Sequence, residues 1–400
     1  METCKPRLLF ISENITLAQI VRLKELADCL DETVYDIYFA CASFPDLIFA
    51  GSRLKRITIT SISKEYMNAA IKAGKPLYSL QILKQYIAEE LAIFNSISPD
   101  VVIGDFRLSL SISAAKAKIP YINLINAYWN PSAERKHYPV PEHPTVKWFG
   151  HKAVSLIFPI IRPSVFKQFA KPVNTLRKQN DLPYIGSLED VLTYGDYVLY
   201  PDVPYLNPVK KLHSNHSYIG PVLWSPKIEL PPITQDKPII YITMGSSGDG
   251  SLLKQIIQSI QNLSVQLLVS GAGAEIDGGV FPNVIFSAYL PGSKACEVSA
   301  LVICNGGSST AYQALSAGKP VIGIPSNLDQ YLSMTCILEK KAGILIRSDA
   351  FTAQQLQRSV IELLNNKFYT ANAQRIASEF NNYSFPELFK QILEKALIAR

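Results

Sequence analysis

A short apolar run from Ala300 to Cys304 leads directly into a turn made of one amide, two glycines and small hydroxyl residues. An apolar run of this length, bounded by glycine, is typical of a strand buried on both faces of a parallel sheet. Glycine lets the backbone approach another group closely, and the hydroxyl residues open a helix near Ser309. Because the first turn of a helix carries free N–H groups and a positive dipole end, the sequence predicts an anion-binding turn here.

A second apolar run, Pro320 to Ile324, ends at Pro325 and is followed by Asp329 and Gln330. In open α/β sheets ligands bind beyond the carboxyl ends of the strands, so these side chains are expected near the turn at Asn305. Two glycines alone are more typical of a turn that only packs closely. The whole string, with its hydroxyl residues and its acidic strand end, favours a site for a diphosphate.

Short apolar strands alternate with longer helical stretches in both halves of the chain. Repeated βαβ units predict a parallel, doubly wound sheet in each half. Between Asn126 and Pro208 prolines and aromatic residues are frequent, and the alternation is lost. The predicted strands of the first half are Leu8–Ser12, Asp36–Ala42, Arg56–Ile62, Asp100–Asp105 and Tyr121–Ile125, its helices include Leu17–Leu30 and Tyr78–Ile97, and a second alternation runs from Pro238 to about Leu364.

Prolines are dense in residues 220–235, which predicts a stiff linker between two domains. A chain of 400 residues is long enough for two hydrophobic cores. We therefore expect an α/β protein with an N-terminal domain over 1–219, a linker over 220–235, a C-terminal domain over 236–383 and a last helix over 384–400.

Composition and charge exclude several classes of protein. Apolar residues make up 48% of the chain and charged residues 18%, which is typical of a globular and not of a disordered protein. The net charge of +6 suits an anionic nucleotide and peripheral contact with an anionic membrane, whereas the lack of a Lys/Arg block argues against nucleic acid. The cysteines form no Cys-x-x-Cys pair and the histidines no i, i+4 pair, so no metal site is expected.

The apolar stretches are too short to cross a bilayer. The most apolar one, Ala153 to Ile161, is interrupted by Pro159. The N-terminus enters a predicted strand after Arg7 without an apolar leader, and free cysteines in apolar stretches are typical of a reducing compartment. We expect a soluble cytoplasmic protein.

The string from Asn305 to Gln330 resembles the nucleotide-sugar-binding signature of the UDP-glycosyltransferase family, which includes the macrolide-type glycosyltransferases. The core of that signature is His-Gly-Gly-x-Gly-Thr, then Ala-Leu and Gly-x-Pro, then Asp-Gln. The resemblance implies the GT-B architecture, in which two Rossmann-like domains face each other across a cleft. It also implies that the second domain holds most of the nucleotide sugar and that the last helix crosses back onto the first domain.

The same resemblance assigns the donor site. It implies that an aromatic residue stacks on the base, that strand-end turns contact the diphosphate and that an Asp-Gln pair bonds the sugar hydroxyls. Three departures, Asn305 for His, Ser309 for glycine and Gly292 for Gln, leave open whether the nucleotide is UDP or dTDP. The implied donor-binding residues are Gly245, Ser246, Ser247, Tyr289, Leu290, Asn305, Gly306, Gly307, Ser308, Ser309, Thr310, Asp329 and Gln330.

The catalytic position departs from the family as well. Gln19 stands where the family has a His that deprotonates the acceptor, whereas the Asp that orients this His is matched by Asp105. Because an amide cannot accept the proton, three interpretations stay open. Asp105 is itself the base, or the acceptor is acidic enough to need little help, or the protein only binds a nucleotide sugar. His137 is a further candidate for the base.

The resemblance implies an acceptor pocket lined by the aromatic stretch after Asn126, with Tyr128, Trp129 and His137 as candidate contacts. Aromatic residues suit a flat or apolar acceptor. The predicted function is therefore inverting transfer of a hexose from a nucleotide-diphosphate sugar, most simply a UDP-sugar, to a hydroxyl of a small apolar or lipid-like acceptor. No separate cofactor and no metal is expected. The alternatives are a weak or inactive nucleotide-sugar-binding relative and an epimerase acting on the nucleotide sugar.

Overall fold

The computed structural model describes residues 5–142, 146, 148, 150–233, 236–245, 251–271 and 283–398, apart from the side chains of Lys72 and Ser251. The chain divides into two compact units. The first unit comprises Met1–Glu134, Lys152–Val222 and Tyr383–Arg400, and the second comprises Arg135–His151 and Leu223–Asn382.

The first unit is built on a seven-stranded parallel sheet. Its strands are β1 (Arg7–Ser12), β2 (Asp36–Cys41), β3 (Lys55–Thr58), β4 (Val101–Asp105), β5 (Tyr121–Leu124), β6 (Tyr197–Tyr200) and β7 (His216–Tyr218). The order is β3-β2-β1-β4-β5-β6-β7, so Leu8 of β1 lies beside Ile37 on one side and Val101 on the other. This confirms the predicted parallel α/β fold, although the strand predicted at Arg56–Ile62 is shorter than expected.

Helices cover both faces of this sheet. They are α1 (Leu17–Asp28), α2 (Asp46–Phe49), α3 (Lys64–Lys72), α4 (Leu80–Ile97), α5 (Leu110–Ala117), α6 (His151–Gln179) and α7 (Leu188–Leu192). The first unit also contains the last helix of the chain (Phe385–Ile398), which packs on α1, β4 and β6. Its Phe389 is fully buried and meets the ring of Phe10 edge-on at 6.2 Å.

Helix α6 was not predicted, because it carries Pro159, Pro163 and Pro172 in its interior and proline is normally a helix breaker. Pro159 and Pro163 lie four residues apart on the exposed side, where water can satisfy the carbonyl groups that lose their partners. The second half of the helix is anchored by buried Phe166 and Ala170. Packing of that half outweighs the local cost of the prolines.

The second unit is built on a six-stranded parallel sheet in the same kind of order, β10-β9-β8-β11-β12-β13. Its strands are β8 (Ile239–Thr243), β9 (Gln266–Ser270), β10 (Val284–Ser287), β11 (Leu301–Cys304), β12 (Val321–Gly323) and β13 (Gly343–Leu345). Its helices are α8 (Ser251–Ile260), α9 (Gly292–Val298), α10 (Ser308–Ser316), α11 (Leu328–Glu339), α12 (Ala353–Asn365) and α13 (Lys367–Phe380), and the last helix of the chain is α14.

The segment 135–151 groups with the second unit, although the sequence-based boundaries placed it in the first domain. Hydrogen bonds account for this grouping. The backbone N–H of Lys136 donates to Glu339 at 2.8 Å, and the guanidinium of Arg347 donates to the carbonyl of Val140 at 2.8 Å. Within residues 5–398, as far as they are described, we find no helix that is long and apolar enough to span a membrane.

Candidate active site

The turn predicted to bind an anion lies where β11 ends and α10 begins. Gly307 is the N-cap of α10, and its N–H donates to the side-chain oxygen of Asn305 at 3.0 Å. Gly306 has a φ of +79°, and a Cβ at this position would lie 2.5 Å from Cγ of Met334 on α11. Only glycine fits both the backbone conformation and this close approach, which fixes the turn against α11.

A second turn meets the first one at the same edge of the sheet. Strand β8 pairs with β11, with Thr243 opposite Cys304, so Gly245 follows its strand as Asn305 follows the neighbouring strand. Gly245 has a φ of +59°, and a Cβ there would lie 3.4 Å from the amide nitrogen of Asn305. The structure therefore brings Gly245 and Asn305 together, while Ser246 and Ser247 lie outside the described residues.

The first turn of α10 carries a hydroxyl with an unmet hydrogen bond. The side-chain oxygen of Ser309 is buried and has no hydrogen-bond partner among the residues that the structure describes. Ser308 beside it is buried and Thr310 is half-buried. Because buried polar groups are normally satisfied, a hydroxyl like this at a helix N-terminus fits a ligand with acceptor oxygens.

Asp329 and Gln330 lie in the first turn of α11, close to the end of β12. The carbonyl oxygen of the Gln330 side chain accepts from the backbone N–H of Ser326 at 2.9 Å, and Gln330 is only 1% exposed. The side chain of Asn327 caps the helix by accepting from the N–H of Gln330 at 3.1 Å. Asp329 is half-buried and is therefore the more accessible member of the pair.

The predicted base-binding residues follow β10. The hydroxyl of Ser287 donates to the carbonyl of Tyr289 at 2.7 Å, and Tyr289 is half-buried. Leu290 is buried. A Cβ on Gly292 would lie 2.6 Å from the side-chain oxygen of Gln313, so the amide of Gln313 occupies the space beside this glycine.

In the first unit, Asp105 ends β4 and forms an ion pair that sequence analysis missed. Nε of Arg22 donates to Oδ2 of Asp105 at 3.0 Å and Nη2 donates to Oδ1 at 2.9 Å. Asp105 is fully buried and Arg22 is 8% exposed. Nη1 of Arg22 also donates to the side-chain oxygen of Asn126 at 2.6 Å. Both carboxylate oxygens are thus engaged by one guanidinium.

Gln19 lies on α1, three residues before Arg22. Its side-chain oxygen accepts from the backbone N–H groups of Ile15 and Thr16, each at 3.1 Å, and it completes a capping box with Thr16. The Gln19 amide therefore supplies the hydrogen-bond acceptor for two backbone N–H groups at the start of α1.

A second acidic residue that sequence analysis did not assign lies at the end of β1. Glu13 is fully buried and accepts hydrogen bonds from the hydroxyls of Tyr78 at 3.0 Å, Tyr86 at 3.2 Å and Ser61. Nη1 of Arg107 lies 3.6 Å from Oε2 of Glu13. Burial raises the pKa of Glu13, and the positive charge of Arg107 opposes this rise. The signal in the sequence was an acidic residue directly after a strand.

The predicted acceptor-binding residues differ in their exposure and in the unit to which they belong. Tyr128 and Trp129 form a short 3-10 turn after β5 in the first unit and are only 2% and 6% exposed. His137 is exposed and belongs to the segment grouped with the second unit. Among the described residues, no group of three His, Cys, Asp or Glu side chains could hold a metal ion.

Residues 254–395 match the model of the family described as the C-terminal domain of erythromycin biosynthesis protein CIII-like proteins. A "PGL/p-HBAD biosynthesis glycosyltransferase" of Mycobacterium tuberculosis H37Ra is 40% identical over 98% of this chain and 92% of its own length. A "PGL/p-HBAD biosynthesis rhamnosyltransferase" of Mycobacterium bovis BCG is 37% identical over 95% and 86%. A relative in the same species named "inactive" is 41% identical over 64% of this chain and 71% of its own.

Solved structures share the fold at low sequence identity. The calicheamicin glycosyltransferase CalG4 superposes with a TM-score of 0.73 at 14% identity, covering 99% of both chains. The spinosyn rhamnosyltransferase SpnG, complexed with thymidine diphosphate, superposes with a TM-score of 0.66 at 16% identity, covering 97% of this chain and 100% of that one. These comparisons confirm the family and the GT-B architecture inferred from the string at Asn305. The chain has the GT-B fold, and it belongs to the same family of glycosyltransferases as these PGL/p-HBAD biosynthesis enzymes.

Proposed function

We propose that the protein transfers a hexose from a nucleotide-diphosphate sugar to a hydroxyl of a small apolar or lipid-like acceptor, with inversion at the anomeric carbon. The observation that carries the donor assignment is the buried, unsatisfied hydroxyl of Ser309 at the start of α10, beside the paired turns at Gly245 and Asn305. The N–H groups at that helix end stabilise the charge that develops on the leaving diphosphate. No separate cofactor and no metal is needed for this role.

In this reaction the acceptor oxygen forms a bond to the anomeric carbon as the bond from that carbon to the diphosphate breaks. The acceptor proton goes to a base or to water. Asp329, the more accessible residue of its pair, bonds the sugar hydroxyls, and Gln330 holds the start of α11 in place through Ser326. Carboxylates are suitable partners for a polyol.

The donor is a UDP- or dTDP-sugar. We assign base stacking to Tyr289, which follows β10, because a half-buried aromatic ring suits a planar heterocycle. Support for dTDP comes from the thymidine diphosphate named with the spinosyn rhamnosyltransferase. One of the relatives is named a rhamnosyltransferase, which supports a hexose or deoxyhexose as the transferred group.

The acceptor is a phenol or a similarly acidic hydroxyl compound. Gln19 has no proton-accepting group, and both oxygens of Asp105 are held by Arg22. An acceptor that ionises readily needs less help from a general base than an alcohol does. Tyr128, Trp129 and His137 remain proposed acceptor contacts. We also propose a cytoplasmic location and peripheral contact with an anionic membrane, which the net charge of +6 supports.

A second candidate function is that of a nucleotide-sugar-binding protein without transferase activity. It is favoured by the capping role of the Gln19 side chain, which leaves that position without a base, and by the relative named inactive. Donor binding is common to both functions, whereas acceptor-dependent release of the nucleoside diphosphate belongs to the first alone.

Thermal unfolding with and without UDP- and dTDP-sugars tests the donor site. A ligand at 100 times its Kd stabilises the folded state by about 2.7 kcal/mol, which is a clear rise in Tm. Asp329→Ala should lower the stabilisation by the nucleotide sugar to that of the free nucleoside diphosphate. The matched control is Glu387→Ala, because this glutamate lies in the first turn of α14 and its loss perturbs a helix dipole in the same way.

Two results would overturn the assignment. One is the absence of any rise in Tm with either nucleotide sugar. The other is an Asp329→Ala variant that loses stabilisation by the free nucleoside diphosphate as strongly as stabilisation by the nucleotide sugar.

A further inference from the structure

Helix α6 exposes an apolar patch in its first half. The patch consists of Leu156, Ile157, Ile160 and Ile161, which are 76%, 54%, 78% and 44% exposed. Residues four apart on a helix lie on the same face, so the pairs 156/160 and 157/161 form one continuous surface. The opposite side is fixed by Phe158, which is only 8% exposed. Exposed apolar residues grouped in this way mark an interaction surface.

Positive charge flanks the patch on the same helix. Lys152 lies four residues before Leu156, and Lys167 lies seven residues after Ile160, so both lysines fall on the same exposed side as the patch. Lys171 extends this row by one more turn and is exposed as well. In the sequence, no acidic residue occurs between Glu142 and Asp181. The surface therefore combines bulky apolar side chains with unbalanced positive charge.

This combination favours one kind of partner. A symmetric pair of such helices would place lysines against lysines, because a two-fold interface apposes the same patch on both copies. A lipid surface with acidic headgroups instead satisfies both features, since the apolar side chains enter the acyl boundary and the lysines bind the headgroups. The apolar run is too short to span a bilayer, which limits the contact to one leaflet.

We propose that the apolar patch of α6 binds the surface of an anionic lipid bilayer, with Lys152, Lys167 and Lys171 on the acidic headgroups. This inference deepens the proposed function and rests on it, because a lipid-like acceptor would be met at that surface.

Co-sedimentation of the full chain with lipid vesicles tests the proposal. The protein should bind vesicles of phosphatidylcholine mixed with phosphatidylglycerol and not vesicles of phosphatidylcholine alone, and salt should weaken the binding. Leu156→Gln together with Ile160→Gln should lower the partition coefficient by more than about tenfold, because each side chain contributes at least that much when buried. Replacing Lys167 and Lys171 by Gln should lower it about fivefold per lysine.

Two controls match these variants. Ile361→Gln removes an apolar side chain that is 46% exposed on α12, and Lys116→Gln removes an exposed lysine of α5. Both should leave binding unchanged. Equal binding to both kinds of vesicle, or no loss in the Leu156/Ile160 variant, would overturn the proposal. So would a dimer in sedimentation velocity that this variant converts to a monomer.

The same variant separates this proposal from the proposed function. It should keep its thermal stabilisation by the nucleotide sugar, because the patch lies on the first unit and the donor residues lie on the second. A wild-type protein that binds vesicles but is not stabilised by the nucleotide sugar would refute the donor site and leave the membrane contact standing. Loss of vesicle binding alone would refute the membrane contact.

Discussion

Breaking the buried ion pair between Arg22 and Asp105 should be one of the most destabilising single changes in the first unit. Arg22→Met removes a guanidinium that holds both oxygens of a fully buried carboxylate at 2.9 and 3.0 Å. Removal of one partner of a buried pair leaves an uncompensated charge, which costs about 3–5 kcal/mol. The hydrogen bond to Asn126 at 2.6 Å is lost as well, so we expect the upper part of that range.

The double variant Arg22→Met/Asp105→Asn removes both charges. It should therefore lose less free energy of unfolding than the sum of the two single variants, by about 1–3 kcal/mol. Urea unfolding should be followed for the first unit alone, since a two-unit chain need not unfold in one step. Trp129 reports on that unit once Trp148 and Trp224, which belong to the second, are replaced by Phe.

The control is Lys55→Met, which breaks an ion pair with Asp36 at 2.8 Å whose side chains are 49% and 35% exposed. An exposed pair contributes at most about 1 kcal/mol, so this variant should unfold almost like the parent. A loss below about 1 kcal/mol for Arg22→Met, or strict additivity in the double variant, would refute the reasoning. The result also decides how Asp105→Asn is interpreted, because loss of activity then has a structural cause beside the loss of a base.

Four other substitutions have predicted outcomes. Gln19→Ala should lower the free energy of unfolding in urea by about 1 kcal/mol, because two backbone N–H groups lose their hydrogen-bond acceptor. Gln19→His should raise kcat/KM on an alcohol by about 10²–10⁴-fold if the imidazole ring reaches the acceptor substrate. Burial, reinforced by the neighbouring His213, lowers the pKa of His216 to about 4. Its stabilising contribution is therefore full above pH 6.5 and is lost as the pH falls through about 4, and His216→Gln should flatten the pH dependence of unfolding in that window. Gly343→Ala should cost about 1–3 kcal/mol in urea unfolding, because its Cβ would lie 2.3 Å from the carbonyl oxygen of Val321.

The prediction for the Gln19 cap has a control, and the predictions for His216 and Gly343 each have an opposing result. Gln19→Glu is the control for the cap, since a carboxylate can accept both N–H groups, and it should unfold like the parent. A pH profile that is the same with and without His216 would show that this ring does not titrate in the window. A Gly343→Ala protein of parental stability would mean that β12 and β13 can move apart at no cost.

The strands and the donor turn could be predicted from the sequence because both depend on local patterns. The run Ala300–Cys304 is uniformly apolar and β11 covers Leu301–Cys304, so burial of a parallel strand is visible in the sequence alone. Helix α6 could not be predicted, because Pro159 and Pro163 are locally unfavourable in a helix. The helix is stabilised instead by tertiary packing of Phe166, which the local sequence does not reveal.

The ion pair between Arg22 and Asp105 could not be predicted from the sequence for a different reason. The two residues are 83 positions apart, and they meet because β1 lies beside β4 in the sheet. Strand order is a property of the whole fold, and no local pattern encodes it. The same holds for Glu13, whose partners Tyr78 and Tyr86 come from a later loop and helix. The lack of a basic group at Gln19 was visible in the sequence, whereas the capping role of the Gln19 side chain was visible only in the structure.

Acceptor-dependent release of the nucleoside diphosphate tests the central claim most directly. The purified protein is incubated with a UDP- or dTDP-sugar and a phenol, in the presence of a chelator, and both the nucleoside diphosphate and the glycosylated phenol are quantified by mass spectrometry. We predict equal amounts of the two products with the phenol and much less with an alkyl alcohol, since Gln19 cannot accept the proton of an alcohol and Arg22 holds both oxygens of Asp105. Release of the nucleoside diphosphate without acceptor, or binding of the nucleotide sugar with no transfer to any phenol, would contradict the account.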